Sequence, residues 1–346
     1  MHSTTRRSVL CFGLAALLGA CSDAGSGTPT GLESATSVAS APLGQAPTNG
    51  CNPQRSHPAG KIIQSMAAPS PWAVAVRDDG LTYFTEIFSN QVGITNTFTR
   101  TISGTIPSGS LPTGIAFSPD GLRAYTANQG DNSVTVIDVG TGQVIGSVST
   151  GFSSPFSVQV SPDGSQVYVG NNDNTLMIVD GQTLQITKTL TVGFATNAFA
   201  VDPAGRMLYA SHFASGSVSE IDIFTGNVLR TFQLGGTTQG LALNRKGTHL
   251  FVANEGGYLS DVDLVNGTFG AQIPLAGVGF GVGVTPDDNE AWITLPLNGK
   301  VQVFNLAQHR ISGTLQVGGE PRRIAFSGQG KIGALTDPSG FIIFVR

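Results

Sequence analysis

Three ionisable side chains interrupt a repeating background. Three residues beyond a strand aromatic the chain runs Glu86, Asn128, Asn171, His212, Asn254, Leu295 and Asp337, so two carboxylates and an imidazole stand among amides. An Asn at such a place is expected to bond the loop that follows it. Glu86, Asn128 and Asp337 together offer the hard oxygen ligands that Ca2+ or Mg2+ takes. A second series, at the start of an inner strand, reads Trp72, Thr113, Phe156, Asn197, Gln239, Phe280 and Arg322. The residues that follow these are Ala73, Gly114, Ser157, Ala198, Gly240, Gly281 and Arg323, small in every case but the last. Arg322 and Arg323 with Trp72, Phe156 and Phe280 suit a small anionic or amphipathic ligand, since guanidiniums bind oxyanions and aromatic walls cover an apolar body. The competing reading pairs Arg323 with Asp337 or Glu86 and only neutralises charge.

Other chemistries find no residues to carry them. The chain has no G-x-S-x-G nucleophile elbow, no H-E-x-x-H and no cysteine pair that would close a zinc site. Of the histidines, only His212 falls in either series; His57, His249 and His309 are expected to be solvated.

The elements that must position these residues are short strands. The stretch 112–151 contains four, separated by Ser118-Pro119-Asp120-Gly121, by Gly130-Asp131-Asn132 and by Gly140-Thr141-Gly142. Pro presets φ, Gly accepts φ > 0, and the residues between alternate as in strands. The unit recurs: Gly80, Gly121, Gly164, Gly205, Gly247, Asp288 and Gly330 occupy the first turn, at spacings of 41, 43, 41, 42, 41 and 42 residues. A four-stranded unit at this period predicts a β-propeller, here all-β with seven blades, because one meander buries its faces only against its neighbours in a ring. The last unit supplies three strands, at 323–326, 332–336 and 341–345. Residues 60–66 repeat the pattern of 142–148, so an N-terminal strand is expected to complete the last blade and remove two open edges.

Ala124-Tyr125-Thr126-Ala127-Asn128, Val167-Tyr168-Val169-Gly170-Asn171 and Leu250-Phe251-Val252-Ala253-Asn254, each after a Pro-Asp-Gly-like turn, resemble the YVTN repeat family. The resemblance covers residues 60–346 and implies a seven-bladed ring in an exported protein, with little chemistry attached, since propellers host many functions. Asp138, Asp180, Asp222 and Asp263, with Asn96 and Asn305, end the third strands and are expected to cap the turns that follow.

The N-terminus reads as an address. Arg6-Arg7 precede an apolar run over 9–20, and Leu18-Gly19-Ala20-Cys21 resembles the end of a bacterial lipoprotein signal, with Cys21 as the lipidated residue; Thr5-Arg6-Arg7-Ser8-Val9-Leu10 also resembles a twin-arginine export signal. The expected organisation is a signal peptide over 1–20, a flexible Gly, Ser, Thr, Ala and Pro tether over 21–58 and the propeller over 59–346. Such a protein sits in the bacterial cell envelope, lipid-anchored on the periplasmic side or at the outer membrane and cell surface. Loss of Arg6 and Arg7 takes the net charge from −4 to −6, a poor match for nucleic acid. With Cys11 in the signal and Cys21 acylated, Cys51 has no partner within the chain.

The reading that follows is a monomeric, lipid-anchored, non-catalytic scaffold that needs no cofactor and takes a small ligand or protein partner at the channel mouth. Candidate contacts are Trp72, Glu86, Phe156, His212, Phe280, Arg322, Arg323 and Asp337. The alternative is a lactonase or streptogramin-lyase-like enzyme with Ca2+ or Mg2+ on Glu86, Asn128 and Asp337. A third is an accessory subunit of a periplasmic dehydrogenase or a surface assembly.

Overall fold

Seven antiparallel sheets follow one another along the chain of the computed structural model, which describes residues 60–346 apart from 152, 194 and 329–331. The expected signal, tether, Cys21 and Cys51 lie outside the described residues. Blade 1 runs through Pro71–Val76, Leu81–Glu86, Gln91–Asn96 and Gly104–Pro107, inner strand to outer, and blade 2 through Pro112–Phe117, Arg123–Asn128, Ser133–Asp138 and Gln143–Ser149. Blades 3 and 4 repeat this order from Pro155–Val160 to Ile186–Thr191 and from Thr196–Val201 to Val228–Gln233. In blade 5, which begins at Thr238–Leu243, the outer strand is split into Thr268–Phe269 and Ile273–Pro274. Blade 6 begins with a short inner strand, Val282–Val284, and ends at Arg310–Gln316.

Blade 7 is built from both ends of the described chain. Ile324–Phe326, Gly333–Asp337 and Phe341–Val345 are joined by Ile62–Ala67, which pairs with the last of them in the register Ser65 to Ile343 and Ala67 to Phe341. Backbone bonds between Lys61 and Arg346 in both directions, 2.8 and 2.9 Å, extend the ladder to its end.

The repeated turns have one geometry. The amides of Gly80, Gly121, Gly164, Gly205, Gly247 and Asp288 each bond the carbonyl three residues back at 2.8–3.0 Å, and each of the six has positive φ. Asp288 takes this conformation at φ 56° because Asp tolerates the left-handed region, so the blade 6 turn keeps its shape without Gly; Gly330 lies outside the described residues. The third-strand caps form as expected: Asp138 accepts from the amide of Thr141 at 2.7 Å, Asp222 from Thr225 at 2.8 Å, Asp263 from Asn266 at 2.9 Å, Asn96 from Phe98 at 2.8 Å and Asn305 from Gln308 at 2.7 Å.

Core packing runs between blades. Tyr83, Tyr125, Tyr168, Tyr209, Phe251 and Trp292 recur at the same second-strand place and are all buried. Tyr83 meets Phe117 of blade 2 with ring centroids 4.9 Å apart, and Trp292 meets Phe326 of blade 7 at 5.7 Å. Each wedge thus fills the gap that the next blade leaves open, and burying such rings is a main stabilising term.

Candidate functional site at the channel mouth

A β-bulge recurs where the inner strands of blades 1–5 begin. Pro112 pairs with Asn128 and Gly114 with Ala127, which leaves Thr113 without a cross-strand partner; Phe156 and Asn197 are left over in the same way in blades 3 and 4. Registers also slip between Pro71 and Val74 and between Thr238 and Leu241, the places of Trp72 and Gln239. A bulge releases a residue from the strict up-and-down alternation of a strand and re-aims its side chain. Five members of the second series noted in the sequence fall at these bulges, and the other two, Phe280 and Arg322, stand just before the short inner strands of blades 6 and 7.

Hydroxyl groups hold the starts of the inner strands. The amides of Ala73, Ala198, Gly281 and Arg323 donate to Thr85, Ser211, Thr294 and Thr336 at 2.7–3.1 Å. Three of these hydroxyls donate onward to the next blade: Ser211 to the Gln239 carbonyl at 2.7 Å, Thr294 to that of Arg322 at 2.8 Å and Thr336 to that of Trp72 at 2.8 Å. Sequence reasoning missed these residues, although each stands immediately before the Glu86, His212, Leu295 or Asp337 position. Close approach also explains the small residues there. A Cβ on Gly281 would lie 2.3 Å from the Arg322 carbonyl oxygen, and one on Gly240 would lie 2.7 Å from that of Phe280.

Four of the candidate side chains come together on blades 6, 7 and 1. The Arg322 guanidinium lies 4.7 Å from the Phe280 ring centroid and 5.3 Å from that of Trp72, and those rings meet edge to face at 6.3 Å. Arg323 lies 5.0 Å from the same Phe280 ring. Consecutive residues of a regular strand point to opposite faces, so only the irregular backbone here lets both guanidiniums reach one ring. Phe156 is half-buried at the equivalent place in blade 3, outside this stack.

The charges are not paired as the sequence suggested. Arg323 reaches across the ring to donate from Nη2 to the Asn197 carbonyl of blade 4 at 3.2 Å, and among the described residues it has no ion-pair partner. Burial, and then the neighbouring Arg322, push its guanidinium down to about 10. Arg322 donates from Nη2 to Glu320 at 3.2 Å, but its Nε is buried without a partner, and so is the indole Nε1 of Trp72. On the opposite arc Asn197 donates to Gln239, and Gln239 donates to Glu255 at 2.6 Å. Glu255 and Glu320 were not among the sequence candidates; both lie in loops, where the repeat offers no register against which to notice them.

Glu86, His212 and Asp337 end the second strands of blades 1, 4 and 7. All three are buried, at 2 %, 0 % and 1 % exposure, with hydrogen-bond partners in the third strand of their own blade or, for Asp337, in the adjoining loops. Asp337 Oδ1 accepts from the amides of Glu320 at 2.9 Å and Ser339 at 3.0 Å and from the Ser339 hydroxyl at 2.7 Å. Glu86 accepts from Gln91 Nε2 at 2.5 Å, and burial raises its pKa against the opposing pull of that bond. The His212 ring lies with Nε2 2.9 Å from Ser219 Oγ, and burial pushes it down to about 4. Asn128 donates to Ser133 at 2.9 Å and Thr135 at 2.8 Å, side chains of the third strand rather than of the loop before it. Glu86, Asn128 and Asp337 are thus each committed to a separate blade. Among the described residues no group of three or more His, Cys, Asp or Glu side chains is arranged around a metal position.

His249 and His309 are solvent-exposed, as expected, at 41% and 56% of their side chains, and they also share one carboxylate. Asp261 of blade 5 meets His249 Nδ1 at 2.8 Å and His309 Nε2, from blade 6, at 3.0 Å, a polar tie between adjacent blades.

No family model matches the chain. Over 132 residues it is 30% identical to the seven-bladed beta-propeller protein Rv1057 of Mycobacterium tuberculosis, a stretch that covers 37% of this chain and 34% of that protein. Over 151 residues it is 26% identical to the uncharacterized protein YncE of Salmonella typhi, 42% of each. The matched stretches therefore span less than half the length of these relatives. Among solved structures, Kuenenia stuttgartiensis hydrazine synthase superposes with a TM-score of 0.73 at 17% identity, covering 85% of this chain and 98% of that one, a likeness of fold. Sheet order, strand closure and these relatives agree that the chain is a seven-bladed β-propeller.

Proposed function

We propose that this propeller is a lipid-anchored, extracytoplasmic and non-catalytic binding scaffold of the YVTN repeat type, whose ligand or partner seats at the channel mouth. The observation that carries the reading is the stack of Trp72, Arg322, Phe280 and Arg323, in which two buried donors, Trp72 Nε1 and Arg322 Nε, have no acceptor. A buried donor left unpaired costs about 1–3 kcal/mol, and an incoming acceptor removes that cost. The His212 imidazole and the Glu86 and Asp337 carboxylates are held by hydrogen bonds outside the stack, and the Glu320 carboxylate beside it is paired with Arg322, which supports a binding role.

Thermal unfolding of the full chain against neutral, cationic and anionic small molecules, with Ca2+ and Mg2+ in parallel, tests this. A compound that binds only the folded ring raises the midpoint. The expected result is stabilisation by an organic ligand that disappears in Trp72→Ala. A shift produced by Ca2+ or Mg2+ and lost in Asp337→Asn would overturn it in favour of the lactonase or lyase reading.

A further inference from the structure

We infer that the ligand of the channel mouth carries a single carboxylate on a flat apolar body. This rests on the scaffold reading above and names the chemistry of its ligand.

Charge sets the anion and its number. Arg322 has Glu320 as a counterion, whereas Arg323 has a carbonyl oxygen only. Arg323 therefore lacks a carboxylate in direct contact, and a single ligand carboxylate beside it would supply one. Glu255, on the opposite arc with Gln239, adds a carboxylate that would repel a second charge on the ligand. A polyanion, or a phosphate monoester with its nearly doubled charge at neutral pH, meets that repulsion, and a monocarboxylate does not.

Hydrogen bonding agrees with the charge. Trp72 Nε1 and Arg322 Nε are donors in one stack, and Arg323 keeps further N–H groups beyond the one given to Asn197. A carboxylate has two oxygens and about four acceptor sites, enough for these donors, and bonds between charged groups are the stronger kind. Hydroxyl bonds from Thr294 and Thr336 fix the carbonyls of Arg322 and Trp72, so the backbone that carries the donors is held in place before the ligand arrives. The half-buried rings of Trp72 and, across the mouth, Phe156 supply apolar wall for a flat body.

Trp72 also reports on the site. The chain has two tryptophans, and the other, Trp292, is buried in the blade 6 core and bonded to Glu290. Fluorescence titration of the full chain, with Trp292→Phe to isolate Trp72, compares phenylacetate and indole-3-acetate with phenylacetamide, phenethylamine and phenyl phosphate. The carboxylates are expected to change Trp72 emission, with phenylacetamide and phenyl phosphate at least about tenfold weaker, the scale of one lost charge-assisted pair of hydrogen bonds. Arg323→Met should weaken phenylacetate about tenfold or more while the unfolding midpoint holds or rises, which separates lost recognition from lost fold. Equal binding of phenylacetamide, tighter binding of phenyl phosphate, or unchanged affinity in Arg323→Met would each overturn the carboxylate assignment. If amine or amide ligands bind at Trp72 and carboxylates do not, the scaffold reading stands and this inference falls. If no ligand of any class perturbs Trp72, both fall.

Discussion

Burial in blade 4 holds the His212 imidazole at about 4 against an ordinary value of 6.5. Between those pH values the unfolded chain takes up a proton there that the folded chain refuses, so unfolding gains ground as the solution becomes acid. The contribution of this residue is complete above 6.5 and is lost as pH falls through that window. From pH 7 to pH 5 it amounts to about 2 kcal/mol, at 1.36 kcal/mol per pH unit. His212→Asn, which installs the residue that blades 2, 3 and 5 use, should remove this part of the slope; urea unfolding of both chains at pH 7 and pH 5 measures it. An identical slope in the two chains would refute the assignment. Glu86 has the opposite sign, since burial raises its pKa and its contribution is lost as pH rises through its own range. The turn carboxylates Asp138, Asp180, Asp222 and Asp263 are held low by backbone N–H groups, so what they add disappears only as pH falls below the ordinary carboxylate range, beneath the His212 window. Arg323 presents a different balance: a desolvated cation beside another cation, without a counterion. Arg323→Met should therefore stabilise the ring by about 1–2 kcal/mol, as replacement of buried charge by an apolar side chain often does. A fall in the denaturation midpoint would show instead that the bond to Asn197 outweighs the desolvation.

The inner strands and their bulges explain how side chains from separate blades meet. Each hydroxyl at the end of a second strand satisfies an amide at the start of the inner strand and, in blades 4, 6 and 7, binds the next blade as well. Thr294→Val keeps the shape, deprives the Gly281 amide of its acceptor and releases the Arg322 carbonyl. It should cost about 1–3 kcal/mol in chemical unfolding and weaken any mouth ligand in the same variant. The N-terminal strand works at the other edge of blade 7. Ile62, Ile63 and Met66 pack partly buried against the cores of that blade and its neighbours. A chain beginning at residue 58 should unfold like the full chain, whereas one beginning at residue 70 should lose cooperative unfolding, because Phe341–Val345 is left with an open edge. Equal melting of the two would contradict the closure.

At the scale of the whole molecule the ring has no structural disulfide to rely on: of its three cysteines, at 11, 21 and 51, none lies among residues 60–346. Closure by a strand from the far end of the chain does the corresponding work, joining blade 7 to blade 1 through Thr336 and Trp72 as well as through the sheet. The proposed envelope location is tested at the N-terminus. Cys21→Ser should abolish fatty-acyl labelling and either leave the signal uncleaved or release the protein from the membrane. Normal processing and membrane recovery of the Ser variant would contradict the anchor.

The period of 41 to 43 residues, the Pro-Asp-Gly turns and the displaced seventh-blade strand were all legible in the sequence, because turn chemistry and strand alternation are local properties that repeat. Asp288 shows how far this extends: a departure in sequence that keeps the same positive φ is still the same turn. The departures at Glu86, His212 and Asp337 were equally visible, but not their surroundings. Whether an ionisable group at a strand end faces the mouth or its own blade depends on burial and on partners such as Gln91, Ser219 and Ser339, which the repeat does not specify. The pairing of Arg323 with a carboxylate was the natural inference from charge alone. The folded ring places its guanidinium instead against Phe280 and the Asn197 carbonyl, 126 residues away in the chain, because only closure of the ring brings blade 7 opposite blade 4.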